Sequence, residues 1–111
     1  MNKIDEKKIR ELFYSCQYYF YTRDQVIFEV GSRCDGILII LNGNVNIQMS
    51  DGNNYHKTLD QLGCGSIIGQ NFVLKQEHYP YRALNKNKMN CSILKISYQS
   101  IKQMISKDKM A

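Results

Sequence analysis

The run Gly63-Cys64-Gly65-Ser66-Ile67-Ile68-Gly69-Gln70-Asn71-Phe72-Val73-Leu74, followed after a polar connection by Pro80-Tyr81-Arg82, decides how the chain is read. Glycines at 63, 65 and 69 allow sharp turns that bring backbone N–H groups close to a ligand. A short helical turn over Gln70 to Leu74 would present unpaired N–H groups to an anion, and Arg82 could bring a planar fork of donors to it. The ligand suited to that geometry is a phosphate. Gly-x-Gly-x-x-x-Gly between apolar runs is equally the signature of an ordinary turn between strands, so the chain on either side has to separate the two readings.

Upstream the pattern is of short strands broken by glycine. Gln25 to Phe28 and Ile37 to Leu41 read as strands, separated by a turn through Gly31 to Gly36, with a tight turn at Asn42-Gly43. Val45, Ile47 and Met49 alternate with Asn44, Asn46 and Gln48, which predicts a half-buried strand to Ser50. Asp51-Gly52-Asn53-Asn54 predicts a hairpin and Tyr55 to Leu62 the returning strand. Downstream, Lys75 to Tyr81 reads as a polar connection, with strands from Arg82 and over Ser92 to Ile96. Tyr18 to Tyr21 reads as a strand or a helix-to-strand join packed on both sides. Helical spacing of Ile4, Ile9, Leu12 and Phe13 predicts a helix over about 4–14, and a second is expected over about 98–107. Turn signals at short, regular spacing with helices only at the ends indicate an antiparallel roll or barrel.

At 111 residues the chain is expected to be one domain, 1–111, with a single modest core. Hydrophobic residues make up 43% and charged residues 23%, the balance of a globular protein. No apolar run approaches the roughly 20 residues that cross a bilayer. The start carries acids and no apolar segment, so the expected compartment is the cytoplasm. The net charge of +5 comes from lysines spread over both ends, not from a basic face, so no nucleic-acid partner is expected. Cys16, Cys34, Cys64 and Cys91 are too widely spaced for a zinc site and are read as reduced, mostly buried apolar side chains. His56 and His78 form no ligand set, which gives little to a cupin-like metal enzyme.

Val30-Gly31, Asp35-Gly36-Ile37-Leu38-Ile39-Ile40-Leu41-Asn42-Gly43-Asn44-Val45, Leu62 through Gln70, and Arg82-Ala83 together resemble the cyclic nucleotide-binding domain family over roughly Tyr19 to Ile105. The resemblance implies a mainly β, α+β fold: an eight-stranded antiparallel jelly-roll-like β-roll over about 19–96, flanked by N- and C-terminal helices. It also implies a ligand cassette of Gly69, Gln70, Asn71, Phe72, Arg82 and Ala83. Backbone N–H groups and Arg82 would hold a cyclic phosphate, and Gln70 stands where the family's ribose-binding acid would be. Asn71 and Phe72 occupy the places of an aliphatic and a small residue. Ala83 offers no hydroxyl, which favours cyclic AMP over cyclic GMP.

The function implied is a non-enzymatic regulatory sensor with no metal and no cofactor beyond the nucleotide ligand. It would couple binding to movement of the terminal helices, and through them to a protein partner or a larger assembly such as a channel or kinase. The alternative, motivated by Gln70, Asn71 and Phe72, is a domain of the same fold that binds no nucleotide and serves as an assembly or interaction module.

Overall fold

The computed structural model describes residues 7, 10, 16–50 and 56–110. Among the described residues from 16 onward there are eight strands: β1 (Gln17–Tyr21), β2 (Val26–Phe28), β3 (Gly36–Asn42), β4 (Val45–Ser50), β5 (His56–Leu62), β6 (Ile67–Ile68), β7 (Arg82–Leu84) and β8 (Cys91–Ser97). The helix α1 (Tyr98–Met110) follows β8 without a break. The helix expected over 4–14 lies outside the described residues except for Lys7 and Arg10, and so does the hairpin turn expected at 51–54.

The strands form two four-stranded sheets, ordered β1-β8-β3-β6 and β2-β7-β4-β5. Every pairing is antiparallel. The alternation expected of β4 holds at Val45 and Ile47, which are buried in the core with Asn46 half-buried on the other face. The burial pattern fails beyond them: Gln48 is buried and Met49 exposed, after a register shift against β5 between Ile47 and Gln48. Between the sheets pack Leu38 and Ile40 of β3, Cys91 and Ile93 of β8, Ala83 of β7 and Ile68 of β6. Ile40 and Ile93 are fully enclosed, and each contributes on the order of 1.5–3 kcal/mol by burial.

Tight backbone approach holds the sheets in register. Gly43 has φ +89°, and a Cβ there would meet the backbone of Asn90 and Cys91 at 2.9 Å. Tyr98 N–H donates to Asp35 O at 2.8 Å, and Tyr98 and Ile101 pack on the core, so α1 is anchored to β3 as well as to β8. One expectation is corrected in β1. It is a strand, but it is not packed on both sides: Tyr18 and Phe20 are exposed because they lie on the sheet face away from Cys91 and Ile93. The cysteines also divide: Cys34 and Cys91 are buried, Cys16 is half-buried and Cys64 is exposed in the turn before β6.

Candidate functional site

The glycine-rich run resolves into two separate turns. Gly63 to Ser66 is a turn between β5 and β6: Ser66 N–H donates to Gly63 O, Gly65 N–H to Ile40 O, and Ile40 N–H to Ser66 O. These bonds pin the turn to β3, so Gly63 and Gly65 form no cradle, and the ordinary-turn reading holds for them. Gly69 is different. It has φ +100°, and a Cβ there would come within 2.9 Å of Gly36 O, 3.0 Å of Tyr79 Oη and 3.1 Å of Cys34 Sγ. No other residue fits at that point without moving β3.

Beyond Gly69 the chain makes one helical turn. Gly69 O accepts the N–H groups of Phe72 and Val73, both at 3.0 Å, and Glu77 N–H returns to Phe72 O at 3.0 Å. The first N–H groups of such a turn have no partner within it. Among the described residues, those of Gln70 and Asn71 have no backbone acceptor. Both side chains are exposed, whereas Val73 is buried and fastens the turn to the core.

Phe72 points into protein. Its ring meets Tyr79 edge-on at 5.8 Å and Tyr81 at 6.1 Å. Phe28 of β2 stacks on Tyr79 at 3.7 Å, and Tyr79 and Tyr81 lie 6.0 Å apart. These four rings form one cluster beneath the turn. Burial, and then the hydrogen bond with Cys34, raises the Tyr79 phenol above the ordinary tyrosine range, and burial does the same for Tyr81. Both rings therefore sit in the cluster as neutral phenols at physiological pH.

Arg82 opens β7 directly opposite Gln48 of β4. Ala83 and Ile47, the next pair, face the core, so alternation puts Arg82 and Gln48 on the other face. Arg82 Nε and one terminal nitrogen donate to Gln48 Oε1 at 3.1 and 3.0 Å. The other terminal nitrogen lies 3.7 Å from Glu29 Oε1. The Arg82 side chain is only 17% exposed, but the carboxylate beside it is 59% exposed. A largely buried cation is thus held by a neutral amide and a loose surface partner.

Residues 19–108 match the family model described as "Cyclic nucleotide-binding domain". The chain belongs to that family. No curated protein matches it. Among solved structures, a Ruegeria pomeroyi protein described as cyclic nucleotide binding aligns with TM-score 0.82 at 16% identity, covering 96% of this chain and 46% of its own. The Thermus thermophilus catabolite activator protein gives TM-score 0.76 at 16% identity, covering 94% of this chain and 48% of its own. The c-di-GMP responsive regulator CLP of Xanthomonas campestris gives 0.74 at 15% identity, with coverages of 94% and 50%. At such identities these likenesses establish the fold alone, and the chain spans about half the length of these proteins.

Within this cyclic nucleotide-binding domain the expected cassette residues are only partly brought together. Gly69, Gln70, Asn71 and Phe72 share one turn, and Phe72 packs against Tyr81 beside Arg82. The Arg82 guanidinium itself is turned to Gln48, and Ala83 is fully buried in the core. Sequence reading missed Gln48, Glu29, Tyr79 and Tyr81 as neighbours of the cassette. The pair Tyr79-Pro80-Tyr81 just before β7 was a usable signal, since its two rings lie 6.0 Å apart in the same cluster. His56 lies on β5, and His78 Nδ1 is bonded to Gly31 O at 2.7 Å. Among the described residues no group of three or more His, Cys, Asp or Glu is placed to hold a metal. Among them also, no helix is long and apolar enough to cross a membrane.

Proposed function

We propose that the chain is a non-enzymatic cyclic nucleotide sensor whose cassette is closed from within until ligand arrives. The observation that carries this reading is Arg82, a guanidinium with a 17% exposed side chain whose donors rest on neutral Gln48. With an amide on two of its nitrogens and only the exposed Glu29 carboxylate, 3.7 Å away, as counter-charge, the buried cation is poorly compensated, so an entering phosphate offers a better partner than the amide it displaces. The free N–H groups of Gln70 and Asn71 supply the second half of the phosphate site.

Binding is weak on this account for two physical reasons. Phe72 must leave its contacts with Tyr79 and Tyr81 before a sugar phosphate can approach, which lowers the fraction of competent molecules and the apparent affinity with it. Gln70 then offers the ribose a neutral hydrogen bond where a carboxylate would give a charge-assisted one. Cyclic AMP is the favoured ligand because Ala83 has no hydroxyl beside the phosphate. Coupling runs through differential affinity: the cassette is tied through Gly69 to Gly36 and Cys34 at the start of β3, where Asp35 O holds the first residue of α1. A channel, kinase or other larger assembly would take the signal from that helix.

A second reading, an assembly module that binds no nucleotide, is favoured by the four-ring cluster itself. Calorimetry separates the two. Cyclic AMP at millimolar concentration should give heat with the native chain and none with Arg82→Ala. No heat from either would leave only the assembly module.

A further inference from the structure

A cavity of about 230 Å³ opens between the two sheets, and none of Gly69, Gln70, Asn71, Phe72, Arg82 or Ala83 lines it. Its apolar wall is made by Tyr19 and Tyr21 of β1 and Phe28 of β2, with Tyr79 behind. Lys95 and Arg33 supply its positive charge. At about 30 Å³ per water it holds roughly eight waters, room for a single-ring ligand and less than the ~300 Å³ at which sites for drug-sized molecules begin.

The charged side of the cavity is fixed in place. Lys95 lies across Gly36, where a Cβ would come within 3.1 Å of its Cε and 2.5 Å of Ile96 O, so glycine at 36 is what lets the lysine run inward. Lys95 Nζ is held by Asp35 Oδ1 at 2.7 Å, and its side chain is 21% exposed. Arg33 is anchored through its backbone. It bridges His78, and the flanking bonds Tyr79 N–H to Ser32 O and Cys34 N–H to Glu77 O, both 2.8 Å, lock the segment. Among the described residues the Arg33 guanidinium has no ion-pair or hydrogen-bond partner. Lys95 and Asp35 cancel, so the cavity carries one uncompensated cation at its rim.

We propose that this cavity binds a small aromatic carboxylate, with the ring among Tyr19, Tyr21 and Phe28 and the carboxylate on Arg33 next to Lys95. A planar fork of donors fits a carboxylate in two parallel bonds, and a ring set among aromatic faces gains area burial and favourable edge contacts. The site adjoins the root of α1, since Asp35 O accepts Tyr98 N–H.

The test is a titration of the full chain with benzoate and, separately, with its neutral isostere benzamide, followed by backbone amide NMR. Benzoate should shift the amides of Tyr19, Arg33 and Lys95, and benzamide should bind about tenfold more weakly, the difference between a charge-assisted and a neutral hydrogen bond. Arg33 is exposed, so Arg33→Ala leaves the fold intact. It should weaken benzoate about tenfold and leave benzamide unchanged, and Arg33→Lys should restore part of the loss. Equal affinity for the two compounds, shifts confined to residues 69–72 and 82, or no shift at tens of millimolar benzoate would each overturn the proposal. Because no cassette residue lines the cavity, failure of nucleotide binding leaves this result independent.

Discussion

The sheet β1-β8-β3-β6 and the turn from Gly69 to Gln76 are built on opposite terms. In the sheet, long strands bury Leu38, Ile40, Cys91 and Ile93 on one face, and each side chain's place follows from its position in the alternation. In the turn, Gln70 and Asn71 are exposed, and Phe72 is placed by the rings of Tyr79 and Tyr81, which Phe28 of β2 backs in turn. The sheet is specified by local pattern and the turn by whatever folding brings to it. Stability therefore resides in the first, and on the proposed function ligand selectivity would reside in the second, so substitutions should separate the two.

The largest effect belongs to the sheet. Ile93→Ala empties a site that is 1% exposed and should cost about 2–5 kcal/mol, seen as a lower denaturant midpoint. A loss below about 1 kcal/mol would mean that this sheet is not where the stability lies. Gly69→Ala tests the joint between the two regions. The left-handed backbone alone costs an L-residue about 1–2 kcal/mol, and the methyl meets Gly36 O at 2.9 Å, so β3 must shift too. Circular dichroism melts should show a clear drop in Tm, with nucleotide affinity falling further than stability alone explains. Gly65 also has positive φ but has open space around it, so Gly65→Ala should cost less.

The smallest effect is on pH dependence. Tyr79 is raised above the ordinary tyrosine value of about 10. A group that binds its proton more tightly when folded stabilises the fold fully below its unfolded value and loses that contribution as pH rises above it. The midpoint of urea unfolding should therefore fall as pH rises above about 10, and Tyr79→Phe should flatten that decline. An unchanged slope would place the alkaline loss elsewhere.

Much of the fold was legible because alternation and turn chemistry act over a few residues. Val45 and Ile47 gave β4 its inward face, and Asn42-Gly43 gave the tight turn after β3. The helical turn after Gly69 was legible for the same reason, since it rests on one carbonyl and the next four residues. Arg82 was not. Its neighbour is Gln48, set by the register between β4 and β7, and nothing local to either strand states that register. Tyr79 was hidden within a stretch that reads as polar, and its burial depends on Phe28, far away in sequence.

The contrast between a firm sheet and a self-occupied turn is tested most directly by the cyclic AMP affinity of the Gln70→Glu, Phe72→Ala double variant against the native chain. Restoring a carboxylate is worth about tenfold on its own, and removing the ring adds to it by freeing the turn. The account predicts more than about tenfold tighter binding by calorimetry, lost again on adding Arg82→Ala. Unchanged or absent binding in the folded double variant would contradict it.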